Sequence, residues 1–379
     1  MTLFQSLPEP MQERLNWLAH MRQSNPIYFD PETQVWHVFR YADVLAALHD
    51  FAHFSSENAY GTEESPISTT LLATDPPRHR QLRSLVSQAF TPRTVSRLAP
   101  RIQTIVEDLI QHILPAGEVE VVDQLAFPLP AIVIAELLGV PSQDRSLFQQ
   151  WSEAIVVGTP EQGKQAMHIL HDYFVEQLQV RRQHPQDDLM SMLLTVEIDG
   201  AHLTEWELVG FCQLLLIAGH ETTTKLISAA LLCFDGADLV DPLRSEPDLM
   251  PRAVEEVLRY LPPAWMVPRY VREEVQLGGR RLLAGAHVSL WLASANRDEM
   301  QFADPDTFRL DRENNRHLSF GHSIHTCLGA PLARLEATVA LPLILQAFHN
   351  LRRTGTAIEV VDSGLLFGLK QLPMTFTPS

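Results

Sequence analysis

A long apolar stretch from Leu203 to Phe234 constrains the fold of this chain more than any other segment. Thr204 and Glu207 have the spacing of a capping box, which predicts that a helix begins here. Val209 to Ala218 is apolar on nearly all faces of that helix, so we expect it to be buried. Ionisable residues follow too closely for a membrane span, namely His220, Glu221 and Lys225. The sequence therefore predicts a long helix at the centre of a soluble fold.

A polar run, Ala218-Gly219-His220-Glu221-Thr222-Thr223, lies within this helix. Unpaired polar groups in a buried helix cost roughly 2–7 kcal/mol, so the run needs a role. Ala218 and Thr222 lie one turn apart on a common face, where small side chains would leave room for a flat ligand. The alternative is a core helix in which the threonine hydroxyls bond back to carbonyl groups. The residues themselves leave both readings open.

The composition agrees with one large intracellular domain spanning residues 1–379. No flexible linker divides the chain, and a hydrophobic fraction of 45% is ample for a core. The net charge of -17 disfavours nucleic acid and anionic membranes as partners. Three cysteines without framework spacing argue against disulfides, and the first ten residues do not resemble a signal peptide. We therefore expect a soluble cytoplasmic protein.

Shorter elements are predicted on both sides of the long helix. Ile27 to Phe29 and Val35 to Val38 enclose a turn that contains proline, which predicts a hairpin. A second long helix is predicted from Leu328 to Phe348, and Pro342 is expected to bend it or to end it early. The fold class is therefore mainly α with small β-sheets.

Cys327 lies at the end of a glycine-containing loop, directly before the helix that starts near Leu328. A thiol at a helix N-terminus is close to free backbone N–H groups, which favour its thiolate form. Such a thiolate would be a nucleophile, with His325 as its base, or a metal ligand. The third reading is an inert cysteine that packs as a small hydrophobic residue. Cys327 alone does not decide among them.

Two further charged clusters have simple readings when taken alone. Asp75 before two prolines predicts the N-cap of a helix on which His79 and Arg83 share one face. That face would ordinarily be a solvated basic surface. Glu256 and Arg259 are three residues apart, which is typical of a surface ion pair of little energetic value.

Taken together, these motifs resemble the cytochrome P-450 family over nearly the whole chain and in the expected order. The pattern Phe320-Gly321-x-x-x-His325-x-Cys327-x-Gly329 is similar to the family's proximal haem loop, and it departs from the family at Ser323, where a second glycine is usual. The resemblance implies a cytochrome P-450 fold with haem between the long central helix and the cysteine loop. Because glycine permits a positive φ, Ser323 makes the local loop geometry an open question.

The resemblance also implies roles for individual residues. The oxygen-activation motif of the family matches residues 218–222, which makes Thr222 and Glu221 the catalytic pair. The implied cofactor-binding residues, with Cys327 as the metal ligand, are His79, Arg83, Ala218, Arg269, His325, Cys327 and Gly329. The implied structural trio that braces the loop is Glu256, Arg259 and Arg312. The expected substrate pocket comprises Leu214, Ile217, Ala264, Trp265, Met266, Val267 and Phe367.

The activity implied by the resemblance is that of a monooxygenase containing haem b (iron protoporphyrin IX). It would hydroxylate a medium-sized hydrophobic substrate, such as a steroid, fatty acid or terpenoid, with O2. Two electrons would come from a ferredoxin and its NAD(P)H-dependent reductase, because this chain has no flavin or iron–sulfur motif. We expect a monomer. The alternatives are a peroxide-driven haem enzyme and a non-catalytic haem or lipid carrier.

Overall fold

A computed structural model describes residues 3–57, 59–60, 65–87, 90–156, 158–198, 200–355 and 358–378. The architecture is mainly helical with small sheets, as the sequence predicts. The α-helices of these residues are α1 Leu3–Ser6, α2 Glu9–Ser24, α3 Tyr41–His49, α4 Arg78–Val86, α5 Pro92–Ser96, α6 Ala99–Ile113, α7 Pro128–Leu138, α8 Arg145–Val156, α9 Pro160–Gln183, α10 Leu189–Thr195, α11 Glu205–Gly236, α12 Val240–Ser245, α13 Met250–Tyr260, α14 Leu292–Ala295 and α15 Ala330–Ala347.

The strands are short and form several small sheets. Their bounds are β1 Ile27–Asp30, β2 Val35–Val38, β3 Phe54–Ser55, β4 Glu118–Glu120, β5 Glu197–Ile198, β6 Ala201–His202, β7 Val267–Val271, β8 Val275–Leu277, β9 Arg280–Leu282, β10 His287–Leu290, β11 Phe348–Arg353, β12 Val360–Asp362, β13 Phe367–Leu369 and β14 Pro373–Pro378. The largest sheet has the order β1-β2-β10-β7-β3. Its first two strands form the predicted hairpin, in which Ile27 lies opposite Val38.

The long helix α11 lies in the core and is 32 residues long. It begins where the sequence predicts, because Thr204 and Glu207 form a reciprocal capping box. The side chain of Thr204 accepts from the Glu207 backbone at 3.3 Å, and the Glu207 carboxylate accepts from the Thr204 backbone at 2.9 Å. Helices α7, α9, α13 and α15 pack around α11. None of the helices in the described parts of the chain combines the length and apolarity needed to cross a bilayer.

The sequence predicts that Pro342 bends its helix or ends it early, and the prediction of an early end is wrong. Helix α15 continues to Ala347, five residues beyond the proline. Proline removes one helical hydrogen bond and costs about 3 kcal/mol or more in a helix interior. Here the next turn is held in the core, since Leu341, Ile344 and Leu345 are at most 1% exposed. Burial of these side chains offsets the local cost.

Asp75 is not the N-cap that the sequence predicts. Helix α4 begins after Pro77, and no side chain caps it. The residue before a proline is biased toward extended backbone, so the chain enters the helix only after the second proline. The Asp75 carboxylate instead accepts a 2.5 Å hydrogen bond from Ser55 and forms a 2.9 Å ion pair with Arg272. Asp75 therefore ties the start of α4 to the large sheet.

Candidate active site

A cavity separates α11 from the loop that precedes α15. One wall is a face of α11 that contributes Leu214, Leu215, Ala218, Gly219, Thr222, Thr223 and Leu226. The opposite wall is the segment 320–329, here named the Cys327 loop, which contributes Phe320, Gly321, His325, Thr326, Cys327, Leu328 and Gly329. The two segments that the sequence singles out are therefore the two walls of one site.

The Cys327 loop keeps its shape although a serine occupies a strained position. Ser323 has a φ of 61°, in the left-handed region that favours glycine. Its carbonyl oxygen accepts the backbone N–H of Thr326 at 3.2 Å and the Thr326 hydroxyl at 2.8 Å. The backbone N–H of Cys327 donates to the carbonyl oxygen of Phe320 at 2.8 Å. These bonds present the sulfur to the cavity despite the serine.

Cys327 has surroundings that differ from those of the other two cysteines. Its surface is exposed to the cavity, whereas Cys212 and Cys233 are fully buried in the core, and none of the three forms a disulfide with another described residue. Burial within the protein raises the pKa of the Cys327 thiol, and the backbone N–H of Gly329 and the charge of Arg83 only partly offset it. The backbone N–H of Gly329 thus lowers the pKa of Cys327 in the direction that the sequence predicts, but in the protein alone burial outweighs it. A bound metal cation would deprotonate a coordinating thiol outright.

The threonines of α11 bond back to their own helix, which is the simpler of the two readings of the polar run. The Thr222 hydroxyl donates to the carbonyl oxygen of Ala218 at 3.0 Å. Thr223 and Thr224 make the equivalent bonds to Gly219 at 3.4 Å and to His220 at 2.9 Å. This geometry accounts for the hydroxyls without a ligand. It does not separate the two readings, because Thr222 also lies on the cavity wall opposite Cys327.

Glu221 lies beside that wall and is 6% exposed. Its Oε2 lies 2.7 Å from Nζ of Lys225, and its Oε1 lies 3.4 Å from Nε2 of His220. Burial would raise the pKa of the carboxyl, but the hydrogen bond with His220 and the charge of Lys225 outweigh burial and lower the pKa to about 2. Glu221 is therefore ionised at neutral pH.

Basic side chains form part of the cavity wall. Arg83 lines it and donates from Nη1 to the carbonyl oxygen of Thr326 at 2.6 Å. Arg269 also lines it, is 4% exposed, and lies 3.4 Å from the hydroxyl of Tyr60. His325 completes the group, with its Nε2 3.1 Å from the Ser56 hydroxyl. This set can bind acidic groups of a ligand.

Glu256 is the centre of a buried ion network. Its carboxylate accepts from Arg259 at 2.7 and 2.9 Å and from Arg312 at 3.1 Å. Glu256 is 1% exposed and Arg259 is fully buried, so the reading of this pair as a surface ion pair is wrong. Arg259 also donates to the carbonyl oxygens of Asn296 and Pro305, which ties α13 to the segment that leads to the Cys327 loop.

Comparison of this sequence with known proteins identifies its family. The family model described as Cytochrome P450 matches residues 243–377. Cytochrome P450 109 of Bacillus spizizenii is 40% identical over 98% of this chain and 92% of its own length. The erythromycin C-12 hydroxylase of Saccharopolyspora erythraea is 41% identical over 93% of this chain and 91% of its own length. This chain belongs to the cytochrome P450 family.

A solved structure agrees with this assignment. CYP109E1 from Bacillus megaterium, in complex with testosterone, superposes with a TM-score of 0.91 at 36% identity, covering 99% of each chain. The chain is a cytochrome P450 monooxygenase, and family membership implies the cofactor haem, an iron protoporphyrin. The predicted family, fold, enzyme class and cofactor are thereby confirmed.

Two features of this cytochrome P450 fit that cofactor. His79 is 1% exposed, and neither of its ring nitrogens has a hydrogen-bond partner among the described residues. Burial, and then the charges of His325 and Arg83, lower its pKa to about 4. The neutral ring keeps one N–H, which an anionic acceptor at this point would satisfy. A Cβ on Gly329 would meet no protein atom within 4 Å, so open space lies beside the Cys327 loop. His79 does not line the cavity wall; its ring centre lies 4.4 Å from that of His325.

The cavity of this cytochrome P450 includes only part of the predicted substrate pocket. Leu214, Ala264 and Val267 line it, as does Ala218. The other four predicted residues, Ile217, Trp265, Met266 and Phe367, are not part of its wall. Ile217 lies about 100° around α11 from Ala218, on a different face. Trp265 is 2% exposed and packs its ring 4.5 Å from that of Phe367, so the two rings fill each other's space.

Sequence reasoning missed wall residues that come from distant segments. These are Leu48, Tyr60, Leu71, Leu72, Phe90, Ile134, Leu258, Pro263 and Leu292. Most lie in loops or at helix positions whose pattern is that of ordinary core residues, so no local signal marks them. Ile134, Leu258 and Leu292 reach the wall from α7, α13 and α14, and Leu48 reaches it from α3, whereas the other five lie outside the helices.

Proposed function

We propose that this cytochrome P450 hydroxylates a medium-sized hydrophobic substrate, such as a steroid, fatty acid or terpenoid, with O2 and two electrons. The observation that carries the proposal is the position of Cys327 opposite Thr222, across one cavity with mostly apolar walls. Apolar cavities with a few polar groups are typical of small-molecule sites.

In this proposal the protein holds haem from two directions. The Cys327 sulfur would hold the iron, and a thiolate ligand would supply the electron density that favours O–O cleavage. Arg83, Arg269 and His325 bind the propionates, and the ring of His79, which has no partner among the described residues, donates to the same acidic groups. Because Arg83, Arg269 and His325 all lie in the cavity wall, they would hold the cofactor between α11 and the Cys327 loop.

Thr222 and Glu221 move protons in this proposal. Thr222 lines the cavity, and in this proposal rotation about its side chain exchanges the hydrogen bond from its hydroxyl to Ala218 for one directed into the site. Glu221 directly precedes Thr222 in the chain and is ionised. It therefore accepts a proton from solvent and passes it toward Thr222. The two side chains thus form a relay from the protein interior to the reacting atoms.

The proposed substrate class follows from the wall and from the relatives. Leu214, Ala264, Val267 and Ile134 offer apolar surface without directing charges. A homologous structure holds testosterone, and a homologous enzyme is an erythromycin C-12 hydroxylase, which supports a large, mainly hydrophobic substrate. A ferredoxin with an NAD(P)H-dependent reductase supplies the electrons, docking beneath Cys327, and the protein acts as a cytoplasmic monomer.

The decisive experiment measures coupling, the product formed per NADPH oxidised, with steroids, fatty acids and terpenoids that shift the ferric Soret band. Thr222→Ala is expected to keep the Soret band of the reduced carbon monoxide complex at the long wavelength that names the family, while coupling falls by about tenfold or more. Cys327→Ser is expected to lose that band. Thr224→Ala is the matched control, because Thr224 makes the same type of bond but does not line the cavity.

Two outcomes would contradict the proposal. Full coupling in Thr222→Ala would remove the proton-delivery role. Product formation with hydrogen peroxide alone, at the same rate in Thr222→Ala as in the parent protein, would identify a peroxide-driven enzyme instead.

A further inference from the structure

Lys225 is a buried cation next to the proposed proton relay. It is 4% exposed and lies one helical turn beyond Glu221 on α11, with its Nζ 2.7 Å from the Glu221 carboxylate. Pairs of this spacing are common on exposed helix faces, where they contribute little. A lysine is almost never fully buried unless it is paired, so its position here depends on Glu221.

The surroundings of Lys225 hold the ion pair away from the cavity. Thr222 and Thr223 line the cavity wall, whereas Glu221 and Lys225 do not. The lysine stem packs against Gly368 of β13, where a Cβ would come within 2.8 Å of the Lys225 Cγ. The Lys225 side chain therefore cannot move toward β13. Glu221 can turn toward Thr222 only by leaving the ammonium group.

Several other charged groups on the elements packed against α11 are paired or neutral. His220 is the second contact of Glu221, and its ring also packs edge-on against Phe127 at 5.3 Å. Burial raises the pKa of Glu336, on α15, well above its ordinary value, so that carboxyl is neutral. Described charged groups on the packed elements that pair with other residues include Glu136 with Arg101, Glu256 with Arg259, Arg181 with Asp188, Arg353 with Asp235, and Lys370 with Glu359.

We propose that Lys225 is a positioning residue that keeps Glu221 ionised and turned away from the cavity, so that proton delivery requires opening of this ion pair. The inference rests on the proposed function of Glu221. In each cycle Lys225 keeps its own proton. Glu221 leaves the ammonium group, takes one proton from solvent at a carboxylate oxygen, and gives one proton to the Thr222 oxygen. The Thr222 hydroxyl releases its original proton into the cavity, so one proton is transferred in all.

Removing the charge of Lys225 should change the protonation of Glu221. Burial raises the pKa of Glu221, whereas His220 and Lys225 lower it, and the result is a pKa of about 2. Without the charge of Lys225, His220 is the remaining group that lowers this pKa. We expect the midpoint of Glu221 protonation to rise in Lys225→Gln and in Lys225→Met, and each pKa unit increases the acid form about tenfold at a fixed pH well above the midpoint. Glutamine keeps a hydrogen-bond donor, so at least one variant is expected to fold.

The test is infrared titration of the ferric holoprotein between about pH 5 and pH 8, where an ordinary surface carboxyl is already largely ionised. We expect a protonated-carboxyl band with a midpoint in this range in Lys225→Gln, and its loss in the double variant Glu221→Gln/Lys225→Gln. Lys370→Gln is the control, because that exposed lysine pairs with Glu359 beyond β13. Lys225→Arg, which keeps the charge, should behave like the parent protein. Absence of the band in both neutral variants of Lys225 overturns the inference.

A second readout separates this inference from the proposed function. Peroxide released per NADPH oxidised, measured without substrate and with a surrogate ferredoxin and reductase, reports failed proton delivery. We expect this ratio to be independent of pH in the parent protein and to fall with falling pH in Lys225→Gln. If Glu221→Gln leaves the ratio unchanged, the relay itself is wrong. If Glu221→Gln raises the ratio while Lys225→Gln matches the parent at every pH, only the role of Lys225 is wrong.

Discussion

The carboxylate of Glu256 accepts a 3.1 Å hydrogen bond from Arg312, a residue 56 positions later in the chain. The Glu256 side chain is 1% exposed and the Arg312 side chain is 8% exposed, so water does not screen this contact. Arg312 also donates to the carbonyl oxygens of Ala303 and Thr307. The contact therefore fixes the segment before the Cys327 loop against α13.

Glu256→Gln tests this brace. The substitution leaves the buried guanidinium groups of Arg259 and Arg312 without their counter-charge, and we expect a loss of about 3–5 kcal/mol in the free energy of unfolding. Urea unfolding followed by circular dichroism measures it. Arg309→Ala is the control, since the side chain of Arg309 pairs with Asp311 at the surface and only its backbone contacts Glu256. A loss in the control as large as that in Glu256→Gln would contradict the buried-network account.

Ser323→Gly tests backbone strain in the Cys327 loop. A left-handed φ costs a non-glycine residue roughly 1–2 kcal/mol, and glycine removes this cost. Glycine also makes the unfolded chain more flexible, which lowers the free energy of unfolding by about 0.5–1 kcal/mol and offsets part of the gain. We expect Ser323→Gly to raise the free energy of unfolding by up to about 1 kcal/mol, measured by thermal unfolding. Ser323→Ala keeps a Cβ and should show no such gain. A glycine variant that is about 0.5–1 kcal/mol less stable than the alanine variant would show that the loop carries no strain at this position.

His79→Phe tests the buried histidine ring, whose nitrogens have no hydrogen-bond partner among the described residues. Phenylalanine fills similar space but cannot donate a hydrogen bond, and a hydrogen bond to a charged group contributes about 1.5–3 kcal/mol. A loss of this size corresponds to a factor of roughly ten to a hundred, since every 1.4 kcal/mol is about tenfold. We therefore expect the His79→Phe variant to transfer its haem to apomyoglobin faster than the parent protein by that factor. His202→Phe, on the exposed strand β6, serves as the control. Unchanged haem release in His79→Phe would exclude the propionate role.

Glu255→Gln tests the acid dependence of stability. Burial would raise the pKa of Glu255, but contacts with His317 and Arg334 outweigh it and lower the pKa from 4.5 to about 2. Because the folded-state pKa is depressed, the stabilisation is complete above the ordinary pKa and is lost as pH falls through the folded value. The Glu255 side chain is 32% exposed, so solvent screening reduces the stabilisation that this pKa shift implies. We expect the variant to be about 1–2 kcal/mol less stable than the parent protein at neutral pH.

The difference between Glu255→Gln and the parent should shrink when unfolding is measured from pH 4.5 toward pH 2, the two pKa values of Glu255. Glu274→Gln, in an exposed pair with Arg281, should change stability little at any pH. A difference for Glu255→Gln that stays constant over this range would show that the carboxylate charge is not the cause.

The sequence predicted those parts of the site that are carried by local patterns. The capping box of Thr204 and Glu207 marked the start of α11, and the cysteine before α15 marked the opposite wall. Contacts between distant segments had no local signal: Trp265 fills its space with Phe367, and Ile134 reaches the cavity from α7. Single-residue rules also failed where burial outweighed them, as at Pro342. That residues 1–379 form one domain stays a prediction.

Gly219 and Ile134 set a limit on how the cavity can be altered. A Cβ on Gly219 would lie 2.9 Å from the Cγ1 of Ile134, so any larger residue on α11 at this point would push α7 outward. Ile134 itself lines the cavity, so a shorter side chain at this position would enlarge the cavity directly. Changes that adapt this enzyme to bulkier molecules should therefore accumulate at position 134 and leave position 219 untouched.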